Sequence, residues 1–124
     1  MLCFVLISSA FVWAGDISRS ASTPIDPKDI FERGKHLFQG YCAHCHGKYG
    51  DGDGFNAEFL DKDPAELSDP KFQAKRSKEK LFRVISKGGA KIKKSHLMPA
   101  FGYTLSEKEI WSLVSYVRYL GNNE

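Results

Sequence analysis

Apolar residues recur at spacings of three and four in two long segments, which predicts an amphipathic helix near each end of the chain. The first helix begins after Asp26, an N-cap residue followed by proline, and the second follows Ser106, which opens a Ser-x-x-Glu capping box. Their apolar faces comprise Ile30, Gly34, Leu37, Phe38 and Tyr41 in the first helix and Ile110, Leu113, Val114, Val117 and Leu120 in the second. Because no long run alternates with period two, we predict an all-α fold.

A third helix is predicted over residues 78–87, where Ser77 provides the cap and Gly88 the stop. The segment over residues 55–75 contains two prolines and little periodicity, so we expect a loop there with a short helical turn. A basic loop over residues 91–98 then follows the third helix. The apolar side of that helix consists of Leu81, Phe82, Val84 and Ile85.

The length of 124 residues fits one domain, which we assign to residues 26–124. Residues 1–14 carry no charge and end in a small-residue pattern, so we predict a cleaved signal peptide for export, with a retained membrane anchor as the alternative. Residues 15–25 are rich in serine and other small polar residues and are expected to form a flexible leader. The formal net charge of +3 gives no reason to expect nucleic acid binding.

The letters CAHCH at residues 42–46 have the C-x-x-C-H spacing of covalent c-type haem attachment. Cys42 and Cys45 can each add to one vinyl group of haem, and the adjacent His46 then provides the proximal ligand of the iron. The other cysteine, Cys3, lies in the predicted signal peptide. We therefore expect one haem c per chain and no structural disulfide.

Other interpretations of these residues lack their usual context. A structural zinc site would need a second pair of ligands, and a thioredoxin-type dithiol would follow a strand that is not predicted before Cys42. The glycine-rich loop over residues 47–54 is suited to turning closely around the edge of a planar ligand. An EF-hand that started at Asp51 would place Lys62 at its acidic twelfth position, and no Gly-Lys-Ser/Thr of a phosphate-binding loop follows.

The motif, its flanking helices and the downstream Met98-Pro99 together resemble the class I single-haem cytochromes c, especially the short bacterial periplasmic type, over about residues 27–121. In that family a glycine and an aromatic residue mark the crossing of the N-terminal and C-terminal helices, and Gly34 and Phe38 match them here. The resemblance therefore implies a small cytochrome c fold, in which these helices cross and shorter helices and loops surround one covalent haem.

The resemblance also implies partners for two of these groups. The aromatic residue on the C-terminal side of the helix crossing corresponds to Tyr116. In many family members a proline carbonyl accepts the free N–H of the proximal histidine, and Pro64 is the candidate acceptor for His46. The chain departs from the family here, because Glu58 stands at the position twelve residues beyond that histidine.

Met98 is the only methionine besides the initiator, and we predict that it is the distal iron ligand. It lies in a loop and precedes a rigid proline, whereas the alternative role of a methionine is packing in the core. His96 is the rival ligand, since imidazole also binds haem iron. His44 lies inside the haem-attachment motif at residues 42–46, called the attachment turn, and His36 is expected at the surface of the first helix.

These residues predict a periplasmic electron carrier of a respiratory chain rather than an enzyme. Ligation by methionine and histidine favours ferrous iron and leaves no open site for substrate, so single-electron exchange is the expected chemistry. The alternatives are a haem enzyme or gas sensor with an exchangeable distal ligand, and a haem subunit of a respiratory complex.

Basic residues are concentrated before Met98, in the segment expected to border the haem edge. We expect this surface to steer an acidic redox partner, and the alternative is a merely solvated basic face. Its residues are Lys75, Arg76, Lys78, Lys80, Lys87, Lys91, Lys93 and Lys94.

Overall fold

The computed structural model of the chain describes residues 26–122. The predicted signal peptide at residues 1–14 and the leader at residues 15–25 lie outside this range and stay predictions. Within it, none of the helices combines the length and the apolar character that crossing a membrane requires.

Helices provide the regular structure of residues 26–122, which contain no β-strand. The five α-helices of this range are α1 (Pro27–Tyr41), α2 (Ala43–His46), α3 (Pro70–Ala74), α4 (Lys78–Lys87) and α5 (Glu107–Leu120). Single turns of 3₁₀ helix at Ala57–Phe59, Ala90–Ile92 and Phe101–Tyr103 lie in the connections. The predicted all-α fold is confirmed, and α3 is the short helical turn expected within residues 55–75.

The three longer helices begin at the caps that the sequence predicts. The Asp26 carboxylate accepts a hydrogen bond from the Lys28 N–H at 2.9 Å, and the Ser77 side chain caps α4 in the same way. At α5 the Ser106 hydroxyl accepts from the Glu109 N–H at 3.4 Å, while the Glu109 carboxylate accepts from the Ser106 N–H at 2.9 Å. These bonds engage backbone donors that have no partner within the helix, so they fix where each helix begins.

The centre of the fold is the crossing of α1 and α5. At Gly34 the two backbones come so close that a β-carbon would overlap the Ser112 carbonyl and lie 3.1 Å from Tyr116 Cβ. One turn later the buried Phe38 ring packs against Tyr116, with the ring centroids 5.3 Å apart. Glycine is therefore required by the close approach, and the helix crossing that the family resemblance implies is confirmed.

The apolar face of α5 is buried as its spacing predicts, but the aromatic residues distribute differently. Tyr116, which the family resemblance places at the helix crossing, is only 5% exposed, whereas Trp111 and Tyr119 stay 41% and 44% exposed. On α1 the predicted core residue Tyr41 is 48% exposed. Phe31 packs into the helix interface instead, since its ring meets the edge of Tyr119 at a centroid distance of 4.7 Å.

A buried glutamine, Gln73, attaches α3 to the end of α5. Its side-chain amide donates hydrogen bonds to the backbone oxygens of Leu67 at 2.6 Å and Val117 at 2.8 Å. Arg118 in turn donates to the backbone and side-chain oxygens of Gln73, both at 2.8 Å. Because the polar atoms of Gln73 are all engaged, the segment before α3 is held against α5.

Substitution of Gly34 by alanine is expected to lower the free energy of unfolding of the holoprotein by about 2 kcal/mol. The added methyl group must push α1 away from α5, because it meets the backbone of Ser112 rather than a flexible side chain. Alanine has a higher helix propensity than glycine by about 1 kcal/mol, which is less than the free energy lost when the two helices are pushed apart. Thermal unfolding followed by circular dichroism should show a decrease in Tm of roughly 8 °C.

Gly40→Ala is the matched control, because a β-carbon at this position of the same helix meets nothing within 4 Å. Alanine should therefore stabilise the protein there, by about 0.5–1 kcal/mol, through helix propensity alone. Equal changes of Tm in the two variants would contradict the role of close packing at Gly34.

Candidate functional site

The C-x-x-C-H motif spans the junction of α1 and α2. The Cys42 N–H donates to the Phe38 oxygen at 2.8 Å, and the Cys42 oxygen accepts from the N–H groups of Cys45 at 3.1 Å and His46 at 2.9 Å. These bonds wind residues 42–46 into one helical turn. The spacing of three and four positions then places both thiols and the imidazole on one face of that turn.

The two cysteines are free and partly buried. Burial, together with the neighbouring Cys45, raises the pKa of the Cys42 thiol to about 12. A thiol with this pKa stays protonated at neutral pH, whereas cysteines of dithiol redox centres have lowered pKa values. Cys42 therefore lacks the lowered pKa of the nucleophilic cysteine of a thioredoxin-type site.

The imidazole of His46 is fixed by the backbone of Ala65, whose carbonyl oxygen lies 3.0 Å from Nδ1. The carbonyl can only accept, so Nδ1 carries the proton and Nε2 keeps its lone pair. Burial lowers the pKa of His46, although the bond to Ala65 opposes this shift. The acceptor is thus Ala65 and not Pro64, because the backbone path turns the carbonyl of the following residue toward the ring.

The glycine-rich loop packs against the attachment turn through backbone hydrogen bonds. The N–H groups of Gly52, Gly54 and Asn56 donate to the oxygens of His46, Cys45 and His44 at 2.8, 3.2 and 2.8 Å, respectively. A β-carbon at Gly54 would lie 2.6 Å from the Ala43 oxygen. The loop thus engages carbonyl groups that the four-residue helix leaves without helical partners.

The same loop also places the acceptor of His46. The Gly50 oxygen accepts from the Leu67 N–H at 2.6 Å, which draws the segment containing Ala65 toward the attachment turn. Gly50 has a φ of 85°, in the left-handed region that favours glycine. No short-range sequence signal indicates the pairing of Gly50 with Leu67, so the sequence alone does not predict it.

Met98 is partly buried and packs against the hydrophobic core. Its backbone oxygen accepts from the Gly89 N–H at 3.1 Å, and the Lys94 N–H donates to the Gly89 oxygen at 3.0 Å. A β-carbon at Gly88 would lie 2.9 Å from the Met98 oxygen, and one at Gly89 would lie 3.1 Å from Met98 Cβ. The glycine pair that ends α4 therefore also lets the loop that contains Met98 pack against the end of this helix. This segment, residues 93–98, is called the methionine loop.

The remaining histidines lie at the surface. The side chain of His96 is 71% exposed, and its Nδ1 lies 3.7 Å from the Asp61 carboxylate. A hydrogen bond from Ser95 is the main cause that lowers the pKa of Asp61, so this carboxylate is ionised at neutral pH. His44 is exposed and meets the Phe55 ring edge-on at 5.2 Å between centroids, and His36 is exposed on α1.

The donor set of the described residues fits haem c. Across residues 26–122 no three or more His, Cys, Asp or Glu side chains are grouped to hold a metal ion. The motif instead offers two free thiols and one imidazole with a defined tautomer, and the loop before α5 offers a thioether. The structure thus brings Cys42, Cys45 and His46 together on one turn and holds Met98 against the core.

Several solved structures are similar to this fold, and they include the following two. A c-type cytochrome, KustC0563, is 29% identical, with a TM-score of 0.57 over 70% of this chain and 95% of its own. The Kuenenia stuttgartiensis reducing HAO-like protein complex Kustc0457/Kustc0458 is 26% identical, with a TM-score of 0.65 over 83% of this chain. The chain spans about half, 49%, of that second neighbour's length. No curated protein matches the chain.

The family model described as cytochrome c oxidase, cbb3-type, subunit III matches residues 29–117. This range begins in α1, contains the attachment turn and the methionine loop, and ends in α5 at Val117. Since it covers well over half of the 124 residues and the similar structures include a c-type cytochrome, the resemblance to small cytochromes c is confirmed. The protein belongs to the cytochrome c domain family described as cytochrome c oxidase, cbb3-type, subunit III.

Proposed function

We propose that the protein is an exported periplasmic carrier of single electrons, with one haem c attached to Cys42 and Cys45 and with His46 and Met98 as axial ligands. When bound, haem c supplies one-electron exchange between ferric and ferrous iron. The observation that carries the proposal is the bond between His46 Nδ1 and the Ala65 carbonyl, which leaves Nε2 as the free donor atom. The family membership and the c-type cytochrome neighbour support haem-based electron transfer.

His46 is prepared for the proximal position by its surroundings. The Ala65 carbonyl fixes the orientation of the ring and increases the basicity of Nε2, as such outer partners do for metal-bound histidines. The lowered pKa keeps the imidazole neutral, which a ligand requires. Both effects favour the binding of iron by His46 Nε2.

Met98 is the better candidate for the distal position. Its loop is anchored to Gly89 by backbone bonds and its side chain packs against the core, whereas the His96 ring is mostly exposed beside Asp61. A thioether favours ferrous iron and so raises the reduction potential. Two occupied axial positions leave no site for substrate, which favours a carrier over a haem enzyme or gas sensor.

A haem subunit of a larger respiratory complex is the second candidate. The family is described as an oxidase subunit, and one similar structure is a complex. Four aromatic side chains are between 64% and 95% exposed and could bury area against a neighbouring protein. They are Tyr49, Phe55, Phe59 and Tyr103.

A basic surface supports docking of an acidic redox partner. Seven lysines of the segment before Met98 are exposed; they are Lys75, Lys78, Lys80, Lys87, Lys91, Lys93 and Lys94. Arg76 is only partly exposed, lies 5.5 Å from the centre of the Phe72 ring, and its backbone oxygen accepts from Arg118. We therefore assign the lysines to docking and Arg76 to packing.

Mass spectrometry of the denatured native protein is expected to show a single chain that starts near Gly15 and carries the mass of one haem. The haem should stay with the polypeptide in acid acetone, since thioether bonds resist this treatment. The Cys42→Ala and Cys45→Ala variants should carry more weakly attached haem. A mass with an intact N-terminus, found in membranes, would contradict the exported soluble form and give an anchored cytochrome.

Met98→Ala is expected to open the distal position, lower the reduction potential and allow carbon monoxide to bind the ferrous protein. His96→Ala is the matched variant and should leave the visible spectrum and the potential unchanged, because its ring faces Asp61. Visible spectra with and without carbon monoxide, together with redox titration, measure both. The reverse pattern would assign the distal position to His96.

Charge reversal of Lys93 and Lys94 to glutamate should slow electron transfer to the physiological partner at least severalfold at low salt and have little effect at high salt. The screening length falls from about 10 Å at 0.1 M salt to about 3 Å at 1 M, so steering disappears. Lys28→Glu/Lys35→Glu on α1 makes the same change of net charge outside the basic surface and serves as the control. Equal effects of the two double variants on the electron-transfer rate would contradict local docking. Co-purification of the protein with a partner at high salt would favour a subunit of a larger complex.

A further inference from the structure

Asp61 connects two loops whose residues are 34 positions apart in the sequence. Its Oδ1 accepts a hydrogen bond from the Ser95 hydroxyl, and its Oδ2 lies 3.7 Å from His96 Nδ1. Asp61 itself is exposed and follows the 3₁₀ turn at Ala57–Phe59. It therefore contacts the methionine loop from outside that loop.

Ser95 determines the conformation of the turn that ends at Met98. Its hydroxyl oxygen accepts from the Leu97 N–H at 3.1 Å, and its backbone oxygen accepts from the Met98 N–H at 3.4 Å. The hydroxyl proton is donated to Asp61, so both the donor and the acceptor function of this group are used. A movement of Met98 away from the core must disturb these bonds.

The two sides of the methionine loop are held by different means. On the inner side, the backbone of Gly89 bonds to Lys94 and Met98. On the outer side, Asp61 is the only residue of the described range whose side chain bonds to residues 93–98 from outside the loop. Loss of the Asp61 carboxylate would therefore leave the turn at Ser95 attached only at its inner side.

We propose that Asp61 is a positioning residue that, through Ser95, slows the release of Met98 from the distal position. This inference rests on the proposed function, in which Met98 is the ligand. The bond from Ser95 to the carboxylate is charge-assisted and hence stronger than one between neutral groups. Its loss should make the open form of the loop about tenfold more populated.

Displacement of the distal ligand by imidazole in the ferric holoprotein measures this opening, because at saturating imidazole the observed rate reports release of the protein ligand. Asp61→Ala is expected to increase the limiting rate about tenfold, as followed by the visible spectrum. Asp61→Asn keeps an acceptor for Ser95 and should increase it by about threefold at most. Ser95→Ala should reproduce the effect of Asp61→Ala, and the double variant should add nothing further.

Asp63→Ala removes an exposed carboxylate two positions away that forms no hydrogen bond or ion pair with residues 26–122, and it should keep the original rate. The Tm of Asp61→Ala should fall by roughly 5 °C relative to this control, as a tenfold more populated open form requires, so the imidazole rate rather than Tm reports the positioning role. An unchanged imidazole rate in Asp61→Ala, with the distal ligand lost in Met98→Ala, would overturn the positioning role and leave the proposed ligation intact. An unchanged ferric spectrum in Met98→Ala would overturn both.

Discussion

The close contact of α1 and α5 at Gly34 is the constraint on which the rest of the molecule depends. α1 runs directly into Cys42, so the depth at which α1 crosses α5 determines where the attachment turn lies. α5 also carries Val117 and Arg118, whose bonds to Gln73 place α3 and the segment before it. One helix contact thereby orients both chain segments that border the His46 imidazole.

The attachment turn is short, and its stability comes from the backbone around it. A four-residue helix has almost no internal hydrogen bonds, and an isolated helix of this length would not form in water. Here the donors come from Gly52, Gly54 and Asn56, which engage the carbonyl groups of the turn. The density of glycine in this loop is explained by backbone-to-backbone packing, because a side chain at Gly54 would collide with the turn.

Features set by local sequence could be predicted, and features set by distant pairing could not. The caps at Asp26 and Ser106 and the buried face of α5 depend on spacings of a few residues. The partner of His46 lies 19 positions away and the contact between Asp61 and Ser95 spans 34, so no periodic pattern indicates either. Even the family resemblance gave Pro64, one position from the true acceptor, because the choice depends on the path of the backbone.

The use of a main-chain carbonyl as the partner of His46 has a consequence for how such a protein can evolve. Replacement of Ala65 changes a side chain and leaves the backbone acceptor in place, so ordinary substitutions at this position keep the hydrogen bond to the His46 ring. What must persist is the path of the backbone. It is set by the hydrogen bond from the Leu67 N–H to the Gly50 oxygen and by the absence of a side chain at Gly52, where a β-carbon would lie 3.2 Å from the Pro64 oxygen. Insertions or deletions in this segment would therefore alter the electronic environment of the His46 ring far more than changes of residue type.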